Sequence, residues 1–330
     1  MSDAWRALTV EPALEPELAI CDPHHHLWEY PGSRYLPGDF TGEFGGHRVT
    51  HTVFVECLQH YRTEGPDALR PIGETQWIDD LVAATDRIDG GPRLAAGIVA
   101  FADLTLGAAV APVLDAHLAA SERVRAVRYA TAWDASELIR PAHTHPQPGL
   151  MGRPDFRAGF AELVRRDLAF DAWLYPAQFG ELAALAEAFP AARIVLDHMG
   201  GPLGVGPYGG RRGEVFDHWR AGLAAVAARP NVLVKLGGQT MTSAGFGWHK
   251  RPAPPGSAEL ADAFRPYFDT CIELFGPSRC MLESNFPMDR ASCSYGVLWN
   301  AFKRVTARHS ASDRAALLRG TAMRFYRLGA

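Results

Sequence analysis

Eight short apolar or β-branched runs recur along this chain, at residues 18–26, 51–57, 93–100, 124–130, 168–175, 193–198, 231–237 and 279–285. Amphipathic stretches lie between most of them and after the last. Those at 74–88, 106–120, 156–167, 178–189, 214–229, 258–275 and 294–309 carry apolar residues at helical spacing, as Ile78, Leu81 and Val82 do in the first. A final helix is expected over 312–327, with Ser310 or Ser312 as its N-cap. A strand followed by a crossover brings the next strand back parallel to it. Eight such units in 330 residues fit a (β/α)8 TIM barrel, an α/β fold in a single domain over 1–330. An open doubly wound sheet is the rival, but no Gly-rich dinucleotide turn follows the first run. The segments 27–50, 200–213 and 238–257 lack a clear helix and read as long loops, the first of them over the barrel mouth.

The charge balance narrows the partners. The net charge is −4, and no basic block or charged tail favours nucleic acid or a membrane surface. No apolar run approaches the roughly 20 residues that span a bilayer. The start, Met-Ser-Asp-Ala-Trp, has no basic region leading into an apolar one. Five cysteines, Cys21, Cys57, Cys271, Cys280 and Cys293, include no C-x-x-C pair. They read as reduced thiols of a cytoplasmic protein. The expected partner is a small molecule, with a homodimer left open.

Strand C-termini converge on one mouth of such a barrel, so polar residues there are the candidates for chemistry. The first run ends in Asp22-Pro-His24-His-His26, and its alternation puts His24 and His26 on one side. Two imidazoles so placed can bind one divalent ion or polarise one carbonyl. The second run ends in Glu56, which either serves the site or pairs with Arg62. The fourth ends in Arg128 and Tyr129, and a guanidinium there suits an anionic or carbonyl group. The sixth ends in Asp197 and His198, just before a Gly-Gly turn. The seventh carries Lys235, which needs a partner or a rim position inside an apolar strand. The eighth carries Glu283 and Asn285. His249, in a loop, is a further candidate to touch substrate. His143 and His145 are in loops, and His117, His218 and His309 lie in helices and read as surface residues. Trp28, Tyr30, Tyr61, Trp133, Phe246 and Trp248 fall in or beside mouth loops and hint at an aromatic or apolar substrate.

Three of these motifs together carry a resemblance. Asp22-x-His24-x-His26, Leu196-Asp197-His198-Met199-Gly200 and Ser284-Asn285-Phe286-Pro287 resemble the amidohydrolase superfamily. The chain is most similar to its amidohydrolase 2 branch, TIM-barrel hydrolases that include sugar-acid lactonases and 2-pyrone-4,6-dicarboxylate lactonase. The resemblance implies that His24, His26 and His198 are metal or carbonyl ligands, and that Arg128 holds a substrate carbonyl or carboxylate. The family's eighth-strand motif is usually Ser-Asp-x-Pro, with the Asp as general base. Here that position is Asn285, and an amide does not titrate in the useful range.

Three repairs are open. Glu283, two residues earlier on the same strand face, can be the base. Glu56 can join His24, His26 and His198 around zinc or manganese. Alternatively, a metal-free site polarises the carbonyl directly. The preferred reading is the metal one, with Glu56 as ligand or base, and hydrolysis of a lactone or similar cyclic ester. In it Arg128, Tyr129, Lys235, Trp28 and His249 bind substrate, while Asn285 orients the water or stabilises the oxyanion. Metal-dependent decarboxylation of an aromatic or unsaturated acid is the alternative within enzymes. A catalytically inactive, ligand-binding barrel is the alternative outside them.

Overall fold

The computed structural model describes residues 2–85 and 90–329. Eight parallel strands follow one another around a barrel: β1 (Ile20–His25), β4 (Val49–Val55), β5 (Arg93–Ala100), β6 (Val124–Arg128), β7 (Ala169–Ala172), β8 (Ile194–Leu196), β9 (Val232–Leu236) and β10 (Cys280–Leu282). A parallel bridge between His25 and Phe286 makes the seam between first and last. There Asn285 N donates to His24 O at 2.9 Å and His26 N to Phe286 O at 2.7 Å. The TIM barrel expected from the eightfold alternation is the fold observed.

Helices α3 (Ile72–Ala83), α4 (Ala111–Ala120), α5 (Pro154–Arg165), α6 (Phe179–Ala188), α7 (Arg212–Ala227), α8 (Ser257–Phe275) and α9 (Tyr295–Thr306) cross over between strands or follow the last. Four expectations need correction. The 27–50 segment is not all loop: it holds a hairpin, β2 (Trp28–Tyr30) with β3 (Ser33–Tyr35), and a short helix α2 (Pro37–Gly42). Pro37 opens that helix, where its missing N–H costs nothing. The helix expected from 106 begins as 3-10 turns kinked at Gly107, and α-helix starts only at Ala111. The C-terminal helix is split by a π-turn at Ala316–Gly320 into α10 (Ala311–Ala315) and α11 (Thr321–Phe325), with Ser310 as its N-cap. The expected helix 74–88 ends at Ala83, and its residues 86–88 lie outside the described ones. A short helix α1 (Asp3–Arg6) precedes the barrel. No helix among the described residues is long and apolar enough to cross a membrane.

Strand alternation explains what fills the barrel. Outward residues such as Phe54, Val127, Phe170 and Leu282 join the core under the helices. Inward residues Cys21, Val53, Val55, Val99, Ala126, Ala169, Val195 and Met281 form a lower layer, closed beneath by Ala322, Met323, Phe325 and Tyr326. Two residues further along β6, β7, β8 and β10, the inward positions are Arg128, Asp171, Asp197 and Glu283. One step up the barrel, apolar packing gives way to buried charge.

Candidate active site

That charged layer is organised around Glu283 and Lys235, both fully buried. Lys235 Nζ lies 2.7 Å from Asp171 Oδ2 and 2.9 Å from Asp197 Oδ1. Burial opposes its charge, but the carboxylates of Asp171, Asp197 and Glu283 outweigh it and raise the pKa. Tyr326, from the closing C-terminal segment, also donates to Asp171 Oδ2 at 2.7 Å. Burial lifts the Asp171 carboxyl, against the pull of Lys235.

Glu283 touches two histidines. His198 donates to Oε1 from Nδ1 at 2.6 Å and from its backbone N at 3.0 Å. His24 Nδ1 lies 2.8 Å from Oε2 and 3.2 Å from Lys235 Nζ. It cannot donate to one and accept from the other at once. Lys235 has three protons for its two carboxylates and this nitrogen, and Glu283 Oε2 is buried without a hydrogen-bond donor, so His24 Nδ1 accepts from Lys235 and the ring proton is on Nε2. His26 Nδ1 donates to Val55 O at 2.7 Å. His26 and His198 thus keep their lone pair on Nε2, the arrangement that metal-binding histidines adopt when an acceptor holds the other nitrogen. His24 and His26 stay neutral at pH 7. Burial comes first for both, followed by Lys235 for His24 and Arg128 for His26.

The sequence allows this packing at specific points. Gly237 and Gly238 follow β9, and a Cβ at Gly237 would meet Glu283 Cγ at 2.4 Å, while one at Gly238 would meet His198 Cβ at 2.7 Å. Side chains there would displace the pair. His198 and Asn285 both adopt positive φ, 53° in each case, a conformation costly for non-glycine residues and frequent at functional sites.

The structure brings together His24, His26, His198 and Glu283. The rings of His24 and His26 lie 5.0 Å apart, and those of His24 and His198 4.5 Å apart. Potential metal-ligand atoms of His24, His198 and Glu283 all fall within 4.8 Å of one another. Neither His26 nor Glu56 belongs to that group. Glu56 Oε1 instead accepts from Arg128 Nε at 2.7 Å, and Arg128 Nη2 reaches Glu56 O at 2.6 Å. Arg62, the other expected partner of Glu56, bonds Gln76. Burial opposes the Arg128 charge, but Glu56 and Asp197 keep its pKa raised.

Other candidates sit elsewhere. Tyr129 follows Arg128 by one residue and so faces the helical layer, against Phe101 and Phe156. Trp28 lies on the hairpin beside Tyr30 and Tyr35. His249 lines a cavity of about 300 Å³ with Arg140, Tyr175 and Lys250. Phe246 and Trp248 stack on each other, with Arg212 over Phe246. His117 is not a surface residue: it is fully buried between Thr75 and Phe101 O. Sequence reasoning passed over Asp171, Asp289 and Trp173, whose ring meets His198 at 4.8 Å. Parity gives a signal for two of them, since Ala169, Asp171 and Trp173 share the inward face of one run.

Comparison with known proteins agrees with this fold. Residues 21–328 match the family model described as amidohydrolase. An uncharacterised protein of Sinorhizobium fredii is 31% identical over 94% of this chain and 99% of its own length. An L-fucono-1,5-lactonase of Burkholderia multivorans is 31% identical over 53% of this chain and 56% of that protein, so it is matched over only about half its length. The crystal structure of an amidohydrolase from Burkholderia multivorans with bound HEPES superposes with a TM-score of 0.72 at 25% identity, covering 94% of this chain and all of that one. A second structure of that protein, with bound zinc, shares the fold at the same TM-score and 24% identity.

Proposed function

The chain belongs to the amidohydrolase family, and we propose that it hydrolyses a lactone or similar cyclic ester at the cluster of His24, His198 and Glu283. Glu283 carries this reading, because its buried carboxylate holds Nδ1 of His198 at 2.6 Å and lies 2.8 Å from that of His24. Such an arrangement lets a histidine take a proton while the carboxylate steadies the resulting charge. The proton lost by the attacking water goes to the His198–Glu283 pair. Asn285 holds that water by its carbonyl oxygen. Arg128 brings a guanidinium into a dry interior, where N–H donors not used by Glu56 favour negative charge growing on the carbonyl oxygen. Lys235 balances buried carboxylates and does not touch substrate, since it is sealed from solvent.

The residues fit a divalent ion. His24 Nε2 is buried and has no hydrogen-bond partner. Asp171, Asp197 and Glu283 also set three carboxylates against the one ammonium of Lys235. His24, His198 and Glu283, with the His198–Glu283 hydrogen bond given up, would hold zinc or manganese, which would supply Lewis acidity toward the carbonyl and a lowered pKa for water. The lactonase relative supports the substrate class over the half of the chain that it matches.

The test is turnover of a lactone panel beside an aryl-carboxylate panel, with metal analysis of the purified protein. Lactone opening is the expected result. Carbon dioxide release from an aryl acid would replace the reading with decarboxylation, and binding without turnover of either panel would make the barrel a ligand-binding one. After expression with added metal, less than about one tenth of an ion per chain would remove the ion from the scheme.

A further inference from the structure

Arg140, His249 and Lys250 take no part in that reaction, yet all three line one cavity of about 300 Å³. Arg140 comes from the loop after β6, and His249 and Lys250 come from the loop after β9. Both loops follow strand C-termini, so the cavity lies at the catalytic end of the barrel. None of the three side chains makes a hydrogen bond or ion pair among the described residues. No Asp or Glu among those residues lines the cavity, while Thr242 and Ser243 add hydroxyls that have no side-chain partner. Asp134 lines the neighbouring cavity on Tyr175 instead, where it accepts from Tyr208 Oη at 2.6 Å and Ser136 N at 2.8 Å. A cleft lined by one sign of charge concentrates the opposite sign.

A ladder of residues joins this cavity to the catalytic layer. Ala169, Asp171, Trp173 and Tyr175 alternate up the mouth from β7. Trp173 meets the His198 ring at 4.8 Å, and Tyr175 meets Trp173 at 5.6 Å. Tyr175 forms a wall of the cavity, and its hydroxyl donates to Arg140 O at 3.0 Å, which fixes the base of that side chain. On the β9 side, Thr240 N holds Asp289, and Thr242 reaches the cavity two residues later.

We propose that this cavity is a phosphate subsite, which takes a phosphate monoester carried by the substrate away from the scissile carbonyl. The proposal deepens the hydrolase reading and rests on it only for the word substrate. Donors and positive charge without a carboxylate suit an oxyanion. A phosphate monoester brings about −1.5 to −2 charges and three acceptor oxygens. The forked donors of Arg140 match two of those oxygens, and Lys250 supplies a second charge. His249 Nδ1 is buried with no acceptor, which leaves Nε2–H as the ring's donor. A carboxylate needs only one of these cations, and an uncharged ring needs none. Two ring contacts separate the cavity from His198, so a phosphate held there leaves the reacting carbonyl free.

Two measurements test the subsite. The first needs no turnover: calorimetric binding of tetrahydropyran-2-methanol phosphate against the parent alcohol and against tetrahydropyran-2-carboxylate. The native protein is expected to prefer the phosphate to both by at least about tenfold. Arg140→Gln with Lys250→Gln should abolish that preference, and both side chains are exposed, so the fold does not depend on them. Inorganic phosphate should compete with the ester. The second measurement is the ratio of kcat/KM for the phosphate of 6-(hydroxymethyl)tetrahydropyran-2-one to that for its free alcohol. That ratio should fall at least about tenfold in the double variant, through KM. No preference in the native protein, the same preference in the double variant, or a carboxylate bound as well as the phosphate overturns the proposal. Inorganic phosphate that binds while the ester gains nothing would assign the cavity to a free ion and overturn its part in substrate binding. A native protein that opens neither lactone yet keeps the binding preference contradicts the hydrolase reading and leaves the subsite standing.

Discussion

Asp289 accepts the side-chain amide of Asn285, with Nδ2 2.5 Å from Oδ2, and Thr240 N donates to the other Asp289 oxygen at 2.9 Å. The Thr240 hydroxyl also donates to that oxygen. When ionised, that carboxylate only accepts, which orients the Asn285 amide: its NH2 is then spent and its Oδ1 is free among the described residues. The eighth-strand residue therefore offers an acceptor to a water molecule and cannot donate to an oxyanion. Sequence alone left both roles open.

Replacing Asp289 by Asn should turn that amide around. The new side chain can keep Thr240 N on its oxygen while its own NH2 donates to Asn285 Oδ1. The expected result is a loss in kcat of about tenfold to a hundredfold with little change in KM and in melting temperature. Exchanging both residues, Asn285→Asp with Asp289→Asn, restores a carboxylate–amide pair with the acid on the strand, and should recover activity above either single variant. Steady-state kinetics of the three proteins decide the matter. A double variant slower than both singles would sink the orienting role.

The same pair predicts an acid limb. Burial lifts the Asp289 carboxyl to about 7, against the hydrogen bond from Thr240. Below that pH the protonated acid can donate to Asn285 Oδ1 and occupy the free acceptor. Rate should therefore fall as pH drops through about 7. A kcat profile for Asp289→Asn that keeps the native limb would assign it to another group.

Glu283→Gln should be the most damaging conservative change. The amide oxygen can still accept from His198 Nδ1, but an NH2 then replaces the carboxylate oxygen that lies 2.8 Å from His24 Nδ1, and the charge that steadies an imidazolium is gone. A loss in kcat of about a hundredfold or more is expected, of the size seen when a group holding a catalytic histidine is neutralised. Kinetics on a lactone, with circular dichroism to verify folding, give the answer, and a variant within threefold or so of native rate would remove Glu283 from the centre of the scheme.

Local periodicity made the fold legible and part of the site with it. Period-two alternation in each run fixes which side chains enter the barrel, which is why Arg128, His198, Lys235 and Glu283 were all readable at strand ends. What the runs do not encode is which inward residues meet. Lys235 and Asp171 are 64 positions apart and Glu56 and Arg128 are 72 apart, and only closure of the barrel sets their distances. Asp171 was hidden because it interrupts an apolar run once, with the parity of an interior residue. Arg140 and Asp289 come from loops after the strands, where no period places a side chain. Arg128 and Tyr129 show the limit from the other side: the strand end is correct for both, but alternation sends only the first into the mouth.

Removing the Lys235 charge should reveal what it holds. In Lys235→Met, Asp171 and Asp197 lose the cation between them while remaining fully buried. Breaking one side of a buried ion pair destabilises by about 3–5 kcal/mol. Adding Asp171→Asn removes one of the stranded charges and should return part of that loss. Urea unfolding of the native protein, the single and the double variant measures both steps. A single variant as stable as the native protein would show that the two carboxylates take up protons at little cost.

His117 predicts how stability responds to acid away from the site. Its Nε2–H donates to Phe101 O at 2.9 Å and Thr75 Oγ1 lies 2.8 Å from Nδ1, so the neutral ring is fully satisfied. Burial lowers its pKa from 6.5 to about 4. Between those values the unfolded chain binds a proton that the folded chain refuses, so stability falls as pH drops from 6.5 toward 4. The full contribution is about 3 kcal/mol at 1.36 kcal/mol per pKa unit. His117→Gln keeps a donor for Phe101 O but cannot titrate, so its unfolding free energy should change less over this window. Urea titrations at about pH 7 and pH 4.5 compare the two slopes. Parallel slopes would mean that the ring takes its proton in the folded state without strain.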